Sequence, residues 1–423
     1  MTHRRILVAG GLSLALLAAA CHEDELFTPL PPAYAGGAMF ARYVSFGNSI
    51  TAGFQSGGLN DSLQRLAYPV LLARAMGTTF YYPRINYVPT ANLFGCPSPI
   101  TFIFTNPPTR LGPPTAPPCS LRSPNLPPYL NNVAFPGADV LELLNTNYAP
   151  PQPPPSATDA YKLFLLGGRT ELQRAREVSP TFVTVWIGNN DVLSAILDTG
   201  DAGQAADITP PATFTTRFNA LMDSIDSFGS VQGGVLLGVV QVTGAPYVSQ
   251  GRVYFAAQAA IPTMTVLPNC LAFQPLSATD TAFVYVPFHY GAPIVARAAA
   301  GVADTLDCSN SHVISVPEAV NMISTVAQYN ATIAQAAGAR GWGYLDPNPL
   351  LKAFAADTNR IRPFPHFPPN PAAPDSISVN APFGNALSRD GIHPSTSTQL
   401  LIAQILRDSI NAKYGSAIRA VVP

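Results

Sequence analysis

The chain reads as a single α/β domain: a three-layer α/β/α sandwich with a mainly parallel central sheet, elaborated by two long insertions. Three observations predict it. Short β-rich runs alternate with amphipathic helical stretches, the order that builds βαβ units. Thr181–Ile187 and Val235–Val242 are nearly continuous apolar runs, as in strands buried on both faces. Polar or glycine-bearing turns lie beside the predicted strands, where open parallel sheets gather functional groups.

In chain order, Ala41–Phe46 reads as a strand that runs into the turn Gly47-Asn48-Ser49. A helix over Tyr68–Met76 stops at Gly77. Residues 79–130 are crowded with proline and are expected to form a long ordered loop. Asn132–Phe135 reads as a short strand ending at Pro136-Gly137, and residues 149–156 are a second proline cluster. Thr181–Ile187 leads into Gly188-Asn189-Asn190-Asp191. Phe214, Phe218, Leu221, Met222, Ile225 and Phe228 recur at three- and four-residue steps, predicting an amphipathic helix over Ala212–Phe228 closed by Gly229. After the strand Val235–Val242 comes a long insertion, 245–315. Pro317 opens a helix to about Ala337, and Gly343–Leu345 is a short strand. Thr396-Ser397-Thr398-Gln399 predicts a capping box for a last helix ending near Tyr414-Gly415. No repeat or linker interrupts residues 40–423.

The chain has 423 residues, 47% hydrophobic, enough for a sizeable core. Charged residues are only 11%, against about 25% on average. With 44 prolines, this composition predicts ordered but irregular loops, because apolar residues remain plentiful. A net charge of −1 gives no electrostatic reason to expect nucleic acid as a partner. Arg4 and Arg5 followed by the apolar stretch Ile6–Leu17 read as an export signal over residues 1–20. The run Ala18-Ala19-Ala20 closing on Cys21 resembles a lipoprotein lipobox, with Ala18 where leucine is usual. The expectation is an exported bacterial lipoprotein, anchored to a membrane through Cys21, with residues 21–39 as a tail. Four cysteines remain, an even number that favours disulfides in an exported chain. Cys96–Cys119 with Cys270–Cys308 is the most economical pairing, since each pair brackets one irregular insertion. Zinc is disfavoured by the absence of CxxC spacing.

Four turns carry the parts of a serine hydrolase. A serine hydroxyl needs a neighbouring base to take its proton. His393 is that base for Ser49, and Asp390, three residues earlier, can hold the imidazole Nδ1–H from the same turn. The Ser49 and Gly137 backbone N–H groups and the Asn190 side-chain amide are the candidate donors to an oxyanion. Read alone, Ser49 is better taken as a helix cap, and Asn190 and Asp191 as ordinary turn formers. His289 and His366, beside aromatic residues, read as surface or packing histidines.

Gly47-Asn48-Ser49-Ile50 resembles the GDSL block of SGNH (GDSL-type) hydrolases. Gly137 falls at the glycine of the second block, Gly188–Asp191 matches GxND, and Asp390–Pro394 matches DxxHP. The resemblance runs from about residue 40 to the C-terminus, interrupted by the insertions at 79–130 and 245–315. It implies a flavodoxin-like fold, a Ser49–His393–Asp390 triad without a cofactor, and an ester substrate, either a lipid or an acylated small molecule or glycan. It departs from the family at Asn48, where the block has aspartate; asparagine keeps the hydrogen-bonding capacity and loses the charge. A metallophosphoesterase would need upstream histidines, yet none stands between His22 and His289. An α/β-hydrolase would need a G-x-S-x-G elbow around its nucleophile. Acyl transfer and non-catalytic glycan or lipid binding remain open on the same fold. The aromatics of the two insertions (Tyr81, Tyr82, Phe94, Phe102, Phe104, Phe283, Tyr285 and Phe288) would line a greasy cleft or fill cores of the insertions' own.

Overall fold

A computed structural model describes residues 37–113, 129–144, 157–278, 280–366 and 382–423. The export signal, Cys21, Cys119 and the proline cluster at 149–156 lie outside the described residues, and with Cys119 the expected Cys96–Cys119 bridge does too.

Four parallel strands form the central sheet in the order β1 (Tyr43–Gly47), β2 (Phe182–Trp186), β3 (Gly233–Leu237) and β4 (Gly343–Leu345). The predicted strand at 132–135 is reduced to one parallel bridge, Ser45 with Asn132, held by Ser45 N–H to Asn131 O (2.8 Å) and Val133 N–H to Ser45 O (3.1 Å). Counting that segment at the free edge of β1 gives the spatial order 2-1-3-4-5 of flavodoxin-like sheets. The ladder stops there because Asn132 turns its side chain to its own neighbourhood, accepting from Ala134 N–H and donating to Thr51 O.

Alternation along each strand explains the three layers. Val44, Phe46, Val183, Val185 and Leu236 pack on one face with helices α5 (Pro211–Asp226) and α6 (Val316–Ala339). Tyr43, Phe182, Trp186, Val235 and Leu237 pack on the other with α2 (Tyr68–Met76) and α8 (Thr396–Tyr414). α1 (Ser49–Ala52) precedes them in sequence, and α3 (Glu171–Val178), α4 (Asn190–Leu197) and α7 (Asn348–Ala355) fall among them. The third strand is shorter than Val235–Val242, because residues 238–241 leave the ladder and a 3-10 turn begins at Val242.

The last helix begins one residue earlier than its expected capping box. Ser395 is the N-cap and accepts from Thr398 N–H. Gln399, expected to close the box, is fully buried and accepts from Tyr68 N–H (2.9 Å) while donating to Ile50 O (3.0 Å). It thereby ties α8 to α2 and to the turn after β1.

The 245–315 insertion builds a second core around Tyr254, Val286, Ile294 and Leu306. Phe102, Phe104, Phe288 and Phe364 meet there with ring centroids 5.0–6.0 Å apart. Cys270 and Cys308 are bridged as expected, closing a span of 38 residues. A loop of that length contributes about 4 kcal/mol in the chain-entropy account. Replacing both cysteines by alanine should therefore lower the unfolding free energy by about that amount. Urea unfolding of the oxidised wild type and the double variant checks it.

Candidate functional site

The site forms where β1, β2 and β3 end. Gly47 closes β1 because a Cβ there would stand 2.2 Å from Thr51 Oγ1 and 2.8 Å from Trp186 O. Asn48, not Ser49, is the N-cap of α1: its Oδ1 accepts from Ile50 N–H at 3.1 Å. Ser49 is thus the first residue of the helix, with a backbone N–H at a helix start, where no intrahelical acceptor exists. An amide oxygen suffices for this cap, so asparagine meets the need of the position.

The turn 388–394 enters from the opposite end of the chain. Asp390 Oδ1 accepts from Ile392 N–H and His393 N–H, both at 2.9 Å, and from Ser388 Oγ at 3.0 Å. Asp390 Oδ2 accepts from Gly57 N–H (2.7 Å) and is 2.8 Å from His393 Nδ1. Burial alone would raise this carboxyl, but the His393 charge and the hydrogen bonds from residues 392 and 393 hold it down at about 2. Gly391 takes a φ of +72°, and a Cβ on it would press to 3.0 Å from the Phe383 ring. His393 Nε2 then lies 2.8 Å from Ser49 Oγ. The ring of Phe54 packs 4.9 Å from the imidazole and limits its exposure to water. Ser49, Asp390 and His393 are all buried, between 7% and 9% exposed.

Asn190 opens α4 and donates from Nδ2 to Ala138 O at 2.7 Å, which ties the turn at Gly137 to the end of β2. Asn190 and Ser49 share the wall of one cavity; Gly137 adjoins through Ala138 and is itself exposed. Asn189 accepts from Val240 N–H (2.9 Å), fixing the start of α4 against the end of β3. Asp191 is buried, accepts from Val140 N–H (3.0 Å), and is pushed up to about 7 by burial and by the charge of Asp139. Its role here is to hold the 137–140 turn.

Sequence reasoning missed Glu171. This carboxylate is fully buried and accepts from Gly47 N–H at 3.0 Å, one residue before the N-cap of the helix that carries Ser49. Burial pushes it well above the usual carboxylate range, against the Gly47 and Phe135 backbone and the Lys162 charge. The segment Glu171–Val178 is mostly polar, and only the Thr170–Gln173 capping box, which starts the helix under β1, marks the position. Phe54 was likewise unmarked, and Gln399 was marked only as the end of a capping box. His289 pairs with Tyr247 (3.0 Å) and His366 with Pro363 O (3.0 Å), and neither lines the cavity beside Ser49.

Asp191 yields a test with a definite sign. Its carboxyl would titrate near 3.9 in an unfolded chain and titrates at about 7 when folded. Its contribution to stability is complete below about pH 4 and is lost as pH rises through 7, by about 4 kcal/mol. Asp191→Asn keeps an acceptor for Val140 and removes the titration. The variant should gain stability relative to wild type at pH 8 and not at pH 4, in melts at both values.

No family model matches the chain, and no curated protein does. Solved structures give weak likenesses. A catalytic mutant of an acetylxylan esterase from Geobacillus stearothermophilus aligns at 11% identity over 87% of this chain and 93% of its own, TM-score 0.35. An extracellular lipase from Streptomyces rimosus aligns at 13% identity over 87% and 98%, TM-score 0.36. The lipase/acylhydrolase from Enterococcus faecalis aligns at 12% over 89% and 98%, TM-score 0.34. At such scores a likeness carries no activity over to this chain.

Proposed function

We propose that the protein is a serine carboxylic-ester hydrolase of the SGNH (GDSL) type with Ser49 as nucleophile. The observation that carries this reading is the unbroken relay Ser49 Oγ–His393 Nε2 and His393 Nδ1–Asp390 Oδ2, each link 2.8 Å. An imidazole held between a carboxylate and a hydroxyl has the tautomer and orientation that general-base catalysis requires.

In this mechanism His393 Nε2 takes the Ser49 proton as Oγ bonds to the ester carbonyl carbon. The oxyanion receives hydrogen bonds from the N–H groups of Ser49 and Gly137 and from the Asn190 N–H not committed to Ala138 O. Each donor is worth on the order of 10²–10³ in rate. Collapse breaks the bond to the alkoxy oxygen, and His393 returns the proton to the departing alcohol. Water, deprotonated by His393, then cleaves the acyl-enzyme, releasing a carboxylic acid and restoring Ser49. Asp390 keeps its charge throughout and stabilises each imidazolium. The reading includes export and lipid anchoring at Cys21, supported by the charged, apolar and small-residue order of residues 1–21.

Turnover of p-nitrophenyl esters tests it. Ser49→Ala should lose about 10⁴-fold or more and Asp390→Asn about 10⁴-fold in kcat, each with unchanged circular dichroism. Undiminished turnover by Ser49→Ala would contradict the assignment.

A further inference from the structure

Beside Ser49 and His393 lies a cavity of about 110 Å³. Its walls are Val240 and Val242 after β3, Leu350, Leu351 and Phe354 on α7, and Leu387 before the 388–394 turn. Trp186 and Ile402, both buried, close its inner side. His393 is the only ionisable side chain among the lining residues. None of the insertion aromatics reaches it; those at 102, 104 and 288 are spent on the second core. Substrate contact therefore falls to α7, a helix whose sequence gave no hint of a site.

We propose that this cavity is the acyl subsite, and that it selects esters of straight apolar acids of about four to six carbons. The inference rests on the ester-hydrolase reading and adds its substrate class. Size is the first argument. An apolar cavity of about 150 Å³ holds a six-carbon ring such as benzene, so one of about 110 Å³ fits a chain of four to six carbons. An acetyl group would leave most of it empty. Chemistry is the second: nothing on the α7 wall could hydrogen-bond a sugar or balance a charged acyl group, and a polar group buried there would lose its water without compensation. Position is the third. The acyl group stays bonded to Ser49 Oγ after the alcohol leaves, so the apolar pocket whose wall includes Ser49 suits the group that remains.

Each methylene moved from water into such a pocket is worth about a four-fold gain. Along p-nitrophenyl acetate, butyrate and hexanoate, kcat/KM should rise by about 10² or more and level off beyond hexanoate. Leu351→Trp and, separately, Leu350→Trp fill the cavity from α7; each should cut the hexanoate-to-acetate ratio of kcat/KM at least ten-fold. Two isomeric esters separate acyl from alcohol binding: ethyl pentanoate should be preferred to pentyl acetate. Acetate as the best wild-type substrate, ratios unmoved in both tryptophan variants, or preference for pentyl acetate would each overturn the subsite while leaving the ester reading intact. Calorimetric binding of hexanoate over acetate reads the pocket without turnover, and equal binding would overturn it. Absence of any Ser49-dependent ester turnover would overturn the ester reading instead.

Discussion

The contact between His393 Nε2 and Ser49 Oγ joins residues 344 positions apart, and it depends on how the last helix is seated on the sheet. Leu406 and Ile410 of α8 bury against the same face as Leu71 and Leu72 of α2. Gln399 fixes the register between them, since its two hydrogen bonds run to the start of α2 and to the carbonyl of Ile50. A helix packed on apolar side chains alone could slide or rotate by a fraction of an ångström. A buried amide with both ends satisfied by backbone cannot shift without leaving those groups unpaired, a cost of about 1–3 kcal/mol each.

From this follows a division of labour around the nucleophile. Glu171 holds the N–H of Gly47 from below, Asn48 caps α1, and Gln399 holds the carbonyl of Ile50. The acid loop has its own internal frame, with Asp390 collecting five donors, including Gly57 N–H from beside the nucleophile turn. The two halves are braced by buried hydrogen bonds and tied to each other through Gly57 N–H to Asp390 and Ser56 N–H to Ser388 Oγ, which positions the relay at 2.8 Å on each side.

The fold was legible where burial imposes a pattern. Continuous apolar runs marked β2 and β3, and the 3-4 spacing of Phe214 to Ile225 marked α5. The candidate site was legible where residues far apart in sequence formed a set, as Ser49, Asp390 and His393 do, and His393 lies within hydrogen-bond reach of the other two. The rest was hidden for physical reasons. Asn132 sits in what reads as a strand, but its side chain competes for the local backbone and leaves only a bridge. Glu171 and Gln399 are polar residues buried by tertiary contact, and nothing in their local sequence records who covers them. The cavity wall on α7 is spelled by three ordinary apolar residues, which in sequence cannot be told from core. The insertion aromatics could equally have lined a cleft or filled cores of their own; Phe102, Phe104 and Phe288 meet at the second core, and none of the eight lines the cavity beside Ser49.

The central claim is that Ser49 is the one nucleophile, activated by His393. Labelling with a fluorophosphonate probe, followed by peptide mass mapping, tests it most directly. A single adduct on the peptide carrying Ser49 is expected, with labelling slowed at least a hundred-fold in His393→Ala. An adduct on another residue, or no adduct on a folded protein, would contradict it.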